Sequence, residues 1–306
     1  DLIMTMQLEN IKKQNNDEKI HFPERRRTVR VKRTGLLKKN LEEIDRPALK
    51  IADELEELVQ AFKLVHDVYL EKKFLPNPKP HGMLFNVHSL LPDTTHFIAK
   101  SYKSVLSNLT GIYDSELFGL PMDSLYKEEL DQLRDQNKSI MEVSALATPR
   151  NQRWKQLFMY LMQLWYWYSI YKGVDEVCIV VNPRHKRFYR HLLSFEQFGP
   201  VKHYERVNAP AVPMKVNLRQ IMNHMIQIYN DLEFDADLYE YFYRMTGELP
   251  HPKYSAYFTV DTSDIEIKTK NLTVEEIEYF LNQDDSLLNY LSPEQKEHLF
   301  SRHAYA

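Results

Sequence analysis

The stretch EVCIVVNPRHKRFYRHLLSFEQFG, residues 176–199, decides how this chain folds. Its first six residues, Glu176 to Val181, are almost wholly apolar, as in a short strand covered on both faces. Asn182-Pro183 ends that run, and the basic, aromatic segment from about Arg184 to Leu193 reads as a helix. Phe195 to Gly199 then turns into another extended segment. A covered strand that opens onto a helix needs a neighbouring strand reached by a crossover.

The flanking sequence supplies it. SIMEVSALAT, residues 139–148, is a second strand, and Asn151 to Gly173 is the long apolar helix between the two. Leu157, Leu161, Leu164 and Tyr168 share one face of that helix, and Gly173 is its stop. Its most apolar part, LFMYLMQLWYWYSI (157–170), is shorter than the ~20 residues a membrane span needs and reads as a buried helix. Further upstream, HFIAKSY (96–102) and SVLSNLTGIYD (104–114) form a hairpin. From Ile51 onward, Leu55, Leu58, Val59, Phe62, Val65, Val68 and Tyr69 recur at helical spacing until PNPKPHG ends the pattern. Downstream, FEQFGPVKHYERV and AVPMKVNL are two final strands. The order α–β–β–(loop/helix)–β–α–β–α–β–β is that of a mixed α/β sheet flanked by helices.

Three regions follow. Residues 1–45 are a polar, basic tail or connector, 46–220 the α/β domain, and 221–306 a mostly helical extension. In the extension Thr273 with Glu276 makes a capping box, and Ser292-Pro293-Glu294-Gln295 repeats it with proline at the first helical position. The strand-like KYSAYFTV interrupts it.

The net charge of −3 gives no mandate for nucleic acid. The charge is uneven, with eight Lys/Arg and no acid between Arg25 and Lys39. Within that run, Arg26-x-x-x-Arg30 is reminiscent of the start of a PilZ cyclic-dinucleotide module. The Asp/Asn-x-Ser-x-x-Gly that must follow is absent, so a solvated connector is the better reading. Such an arm also suits an acidic carrier protein or the peripheral contact of an anionic membrane surface. A single cysteine, Cys178, excludes an internal disulfide and a Cys-based zinc site, and with no secretory leader pattern the expectation is a cytoplasmic protein. There is no Walker loop, GxGxxG, GxSxG or HExxH, and seven glycines leave little for a phosphate cradle, so no metal is expected. What remains is the cleft where two parallel strands part at their C-terminal ends, with Glu142 on one strand and Asn182 and Tyr189 beyond the other.

Across residues 50–220, HFIAKSY, YDSELFGLPMDSLYKEELDQLR (113–134), SIMEVSALAT, VNPRHKRFY, FEQFG and NAPAVPMKVNL resemble the GNAT-type acyltransferase fold. Within it, the chain resembles the bacterial long-chain N-acyl amino acid synthases, relatives of the acyl-homoserine-lactone synthases. The resemblance implies attack of an amino acid's α-amine on an acyl thioester. It implies Glu142 as the base or orienting group, the backbone of Ser144, Ala145 and Leu146 as oxyanion donor, and Tyr189 as acid for the leaving thiolate. Asn182, Arg184, His185 and Arg134 would line the substrates. Arg134 could alternatively pair with Glu142, and His185 could cap its helix.

Where coenzyme A-dependent members carry a glycine-rich pyrophosphate loop, this chain reads TPRNQRWKQ, without glycine. Arg150 and Arg153 there favour acyl-phosphopantetheine on acyl carrier protein over acyl coenzyme A as co-substrate. Two alternatives stay open: a coenzyme A-dependent acetyltransferase of a small amine, and a non-catalytic sensor or adaptor. Met159, Met162, Trp165 and Trp167 could line an acyl slot, although core packing explains most of them.

Overall fold

The computed structural model describes residues 47–101, 103–149, 157–218, 220–221 and 272–301. Their strands are β1 (Pro47–Ile51), β2 (Thr94–Ser101), β3 (Ser104–Tyr113), β4 (Ile140–Ala147), β5 (Glu176–Val181), β6 (Glu196–Gln197), β7 (Lys202–Tyr204) and β8 (Ala209–Asn217). The helices are α1 (Leu55–Glu71), α2 (Asp123–Arg134), α3 (Leu157–Tyr171), α4 (Lys186–Leu193), α5 (Val274–Gln283) and α6 (Pro293–Ser301). The sheet runs β1-β2-β3-β4-β5-β8-β6, with β7 also paired to β8. Every pairing is antiparallel except β4 with β5, the two strands joined through α3. This is the expected mixed sheet, flanked by helices and followed by C-terminal helices.

Alternation along the strands divides the interior. Phe97, Ala99, Met141, Val177 and Ile179 pack with Leu157, Leu161, Trp165 and Tyr168 of α3. Ile98 lies on the other face with Leu58, Ala61 and Phe62 of α1. Ile112, Ile140 and Cys178 pack on that side against Tyr126, Leu130 and Leu133 of α2. The apolar spacing of α1 and α3 is therefore used as read, and Cys178 is fully buried.

Residues 272–301 join this body. Ile277, Phe280, Leu281 and Leu299 bury against Phe62 and Phe85, with the Phe280 and Phe62 rings 5.1 Å apart. Both capping motifs form: Thr273 accepts from the Glu276 amide, and Ser292 from the Gln295 amide. Gln295 also donates to the Leu117 carbonyl at 2.8 Å, so α6 braces the loop before α2.

Three local readings change. Pro47–Ile51 is an edge strand registered on β2, although its five residues are too few to show a period. The block after Tyr113, open between loop and helix in the sequence, contains α2. The two expected final strands are three, because FEQFGPVKHYERV is interrupted at residues 198–201 and splits into β6 and β7; the 3₁₀ turn Glu205–Val207 then leads through Asn208, in the left-handed region, to β8. The basic run at 25–39 with its Arg26/Arg30 pair, and KYSAYFTV, lie outside the described residues.

Candidate active site

The parallel pair supplies the cleft. β4 and β5 are in register only for Ile140–Glu142 against Glu176–Cys178. β5 continues to pair with β8 as far as Val181, while β4 is carried away by a bulge. Asn108 and Thr110 of β3, two positions apart, face Ala147 and Ser144 of β4, three apart. Ala145 absorbs the extra residue at φ 49°, which an alanine adopts only under strain. Asn108 holds the bulge by donating from Nδ2 to the Ala145 carbonyl at 2.9 Å. From Val143 to Leu146 every residue is half-buried rather than alternating, as along a cleft wall. Ser144, Ala145 and Leu146 are thus the residues at which the strands part.

Glu142 is the last paired residue before the gap. It lies on the same face as Ile140, is only 4 % exposed, and accepts the Met122 amide at Oε2, 2.8 Å away. Burial raises its pKa from 4.5 to about 8, against the lowering effects of the Met122 hydrogen bond and the Arg206 charge. A carboxyl so tuned is about one-tenth ionised at neutral pH and is matched to accepting a proton from an ammonium group.

The Gly119-Leu120-Pro121-Met122-Asp123 segment exists to present that amide. Gly119 has φ +59°, and a Cβ there would stand 2.5 Å from Asp123 Oδ2. The same carboxylate accepts the Leu120 amide at 2.6 Å. Arg134 then locks the loop: Nε and Nη2 donate to Asp114, Nη1 and Nη2 to Asp123, and Nη1 to Asp131, all at 2.7–2.8 Å. Five N–H donors meet five carboxylate contacts, so every donor of Arg134 is engaged within the protein. It does not pair with Glu142, so that alternative is set aside. Gly119→Ala is expected to destabilise the protein by about 2 kcal/mol, from left-handed strain plus the clash, and to lower activity with it. A urea titration reads the first effect.

Across the gap, Asn182 accepts the Arg184 amide at 3.2 Å and starts the short turn that leads into α4. Tyr189 on α4 packs against Phe188 and Phe195, and burial pushes its phenol up to about 12. The neighbouring charge it feels is that of Tyr69, at the end of α1, whose own phenol is also pushed by burial to about 12. His185 occupies the position before α4 without capping it. Instead it accepts from Arg184 Nε at 3.1 Å. Arg184, His185, Arg187 and Arg190 are exposed, with no acid between Asn182 and Ser194.

Other expectations resolve more simply. Met162 and Trp165 are core, Trp165 donating to the Met141 sulfur at 3.2 Å. The Met159 and Trp167 side chains, with Arg150 and Arg153, lie outside the described residues. Among the described residues, Asp53, Glu54 and Glu57 come close enough to share a cation, but Lys50 and Lys100 already neutralise the buried member, Glu57. No described helix is long and apolar enough to cross a membrane.

Sequence reading missed Tyr69, Tyr204 and Arg206. Tyr69 was visible only as a core position of α1, and Arg206 as a charge at a strand end. Tertiary packing buries the Tyr69 phenol within the fields of Glu142, Tyr204 and Arg206.

The family model described as N-acyl amino acid synthase FeeM matches residues 60–217, more than half of the 306 residues. Among solved structures, FeeM, an N-acyl amino acid synthase from uncultured soil microbes, is 28% identical, with a TM-score of 0.51 over 58% of this chain and 93% of that one. The coenzyme A-dependent acyl-homoserine lactone synthase BjaI, with SAM and isopentyl-CoA, is 18% identical, with a TM-score of 0.46 over 61% and 91%. The acyl-homoserine lactone synthase LasI is 16% identical, with a TM-score of 0.45 over 61% and 96%. No curated protein matches the chain significantly.

Proposed function

The chain belongs to the FeeM family of N-acyl amino acid synthases, and from that premise we propose that this acyltransferase moves a long-chain acyl group from acyl carrier protein to an amino acid's α-amine. The observation that carries the reading is the parting of β4 and β5 immediately beyond a buried carboxyl of raised pKa. Glu142 takes the proton from the ammonium, directly or through one water, and frees the nitrogen lone pair. The nitrogen attacks the thioester carbonyl, and negative charge develops on oxygen beside the Ser144–Leu146 backbone, on the β4 edge that β5 has left. Collapse re-forms the carbonyl and breaks the C–S bond, while the surplus N–H proton of the attacking nitrogen passes to the departing sulfur, directly or through water. Amide and thiol leave.

Tyr189 hydrogen-bonds the departing sulfur. At about 12 its phenol is a weaker acid than a thiol near ~8.5, so it serves better as a donor to developing thiolate than as a source of a fully transferred proton. Tyr189→Phe is expected to lower kcat by roughly 10- to 100-fold, leave KM for the amino acid unchanged, and add no inflection below pH 10. The packing against Phe188 and Phe195 survives that change.

The carrier is favoured over coenzyme A by the acid-free, exposed basic face of Arg184, His185, Arg187 and Arg190, which suits an acidic partner. Free-thiol release tests the reading. Thiol should appear only when both the acyl thioester and an amino acid are present, and faster from the carrier than from coenzyme A at low salt. Release without any amino acid, or none at all, would remove the proposal.

A further inference from the structure

We propose that Gln295 of α6 is a positioning residue for acyl transfer: through the Leu117 carbonyl it holds the loop whose Met122 amide meets Glu142. The inference rests on the reading of Glu142 as the base, and it brings into the reaction a helix that lies beyond the matched residues 60–217.

The loop between β3 and α2 is tied at both ends. The Asp114 amide donates to the Ile140 carbonyl at 3.0 Å, and the Met122 amide to Glu142 Oε2 at 2.8 Å. Between them the chain turns at Ser115, whose hydroxyl and carbonyl accept the Phe118 and Gly119 amides at 3.1 and 2.8 Å. Two consecutive carbonyls are then taken up by side chains from outside the loop. Gln295 Nε2 donates to Leu117 at 2.8 Å, and His88 Nε2 to Phe118 at 3.2 Å. The Phe118 ring also lies 5.9 Å from that of His298, one turn along α6 from Gln295.

Gln295 can brace because its own direction is fixed. Its Oε1 accepts the Ser292 amide at 2.9 Å, while its backbone amide donates to Ser292 Oγ at 3.1 Å. Leu299 of α6, with Ile277 and Phe280 of α5, is fully buried in the cluster of Phe62 and Phe85. A carboxamide locked at one end on an anchored helix offers its N–H at a set place. The path from Leu117 to Met122 has little slack, with Gly119 at φ +59° and the Leu120 amide tied to Asp123 at 2.6 Å. A shift at Leu117 is therefore passed on to the Met122 amide.

The sign of the effect follows. The Met122 amide bonds the ionised form of Glu142 and opposes the burial that raises its pKa; the charges acting there are those of Arg206, Asp123 and Asp114. The Cys178 thiol, paired with Glu142 across the strands, and the Tyr69 phenol are raised by burial and stay neutral. With the amide misaligned, burial is less opposed and Glu142 ionises at higher pH.

Two variants of the full chain separate brace from helix. Gln295→Met removes the donor to Leu117 and one half of the capping box; Ser292→Ala removes the other half and keeps the donor. Their Tm values should fall by similar amounts. Hydrogen exchange read on residues 116–123 needs no substrate: Gln295→Met should speed it about 3- to 10-fold, and Ser292→Ala should leave it at the wild-type rate. Kinetics with palmitoyl carrier protein and the best amino acid read the consequence. In Gln295→Met, kcat/KM at neutral pH should fall about 3- to 10-fold as the inflection near pH 8 moves up by about half to one pH unit, and the deficit should close above it. Ser292→Ala should keep the wild-type profile. Unchanged exchange, a deficit equal at every pH, or the same effects in Ser292→Ala overturns the assignment. No amide from the wild type with any amino acid removes the catalytic role together with the synthase reading, and the exchange rates then report on the brace alone.

Discussion

Glu142→Gln is expected to lower the rate of amide formation by roughly 10²- to 10⁴-fold and, at the same time, to make the protein more stable in alkaline solution. Both effects come from one fact, the burial that raises the Glu142 pKa to about 8. In the unfolded chain a glutamate ionises near 4.5; in the folded protein Glu142 keeps its proton until about pH 8. Between those values the folded state binds more protons than the unfolded state, so stability falls as pH rises through the window. The full penalty, on the order of a few kcal/mol, is reached above pH 8. Glutamine is neutral at every pH, and its carbonyl can still accept the Met122 amide. The variant's advantage in Tm should therefore be absent below pH 4, grow up to pH 8 and then level off. The wild-type kcat/KM should rise with an inflection near pH 8, and that inflection should vanish in the variant. A Tm difference independent of pH would show that the carboxyl is not held protonated by burial.

The second large effect is expected at a residue whose donors are all held by neighbouring carboxylates. Arg134→Met removes five charge-assisted hydrogen bonds and leaves Asp114 and Asp123 facing each other, with side chains only 14% and 20% exposed. Losing one partner of such a partly buried network costs about 2–4 kcal/mol. The loop that offers the Met122 amide would loosen, so activity should fall with KM and kcat both affected. Arg134→Lys should not rescue it, because an ammonium cannot fork between two carboxylates. Chemical denaturation gives the stability change. A variant as stable as the wild type would mean that the acids find other partners and that the loop does not depend on Arg134.

Much of this architecture was legible before the fold was known, and the reasons are local. Glu176–Val181 reads as a covered strand because its six residues are apolar without alternation, and its observed bounds are those of the apolar run. The helix before it is defined by Leu157, Leu161, Leu164 and Tyr168, all buried. Glu142 stood out as a lone acid in an apolar strand, and such an acid must either be paired or have its pKa shifted. The tertiary partners were less visible. Arg134 lies twenty residues from Asp114 and eleven from Asp123, at spacings that carry no pattern. The charge of Arg206 acts on the buried Tyr69 from far along the chain, a relation no spacing in the sequence marks. The bulge at Ala145 leaves no mark in the sequence, since alanine has no preference for a left-handed conformation. Tyr189 was legible as a position on a helix but not in its acidity, which depends on how deeply α4 is buried.

The central claim is that this chain joins an acyl thioester to an amino acid. Mass spectrometry of a reaction containing palmitoyl carrier protein or palmitoyl coenzyme A and isotope-labelled amino acids tests it most directly. The account predicts a labelled product with the mass of the amino acid plus the fatty acid less one water, formed by the wild type and nearly absent with Glu142→Gln. Release of free fatty acid alone, or no product from any donor and amino acid, would contradict it.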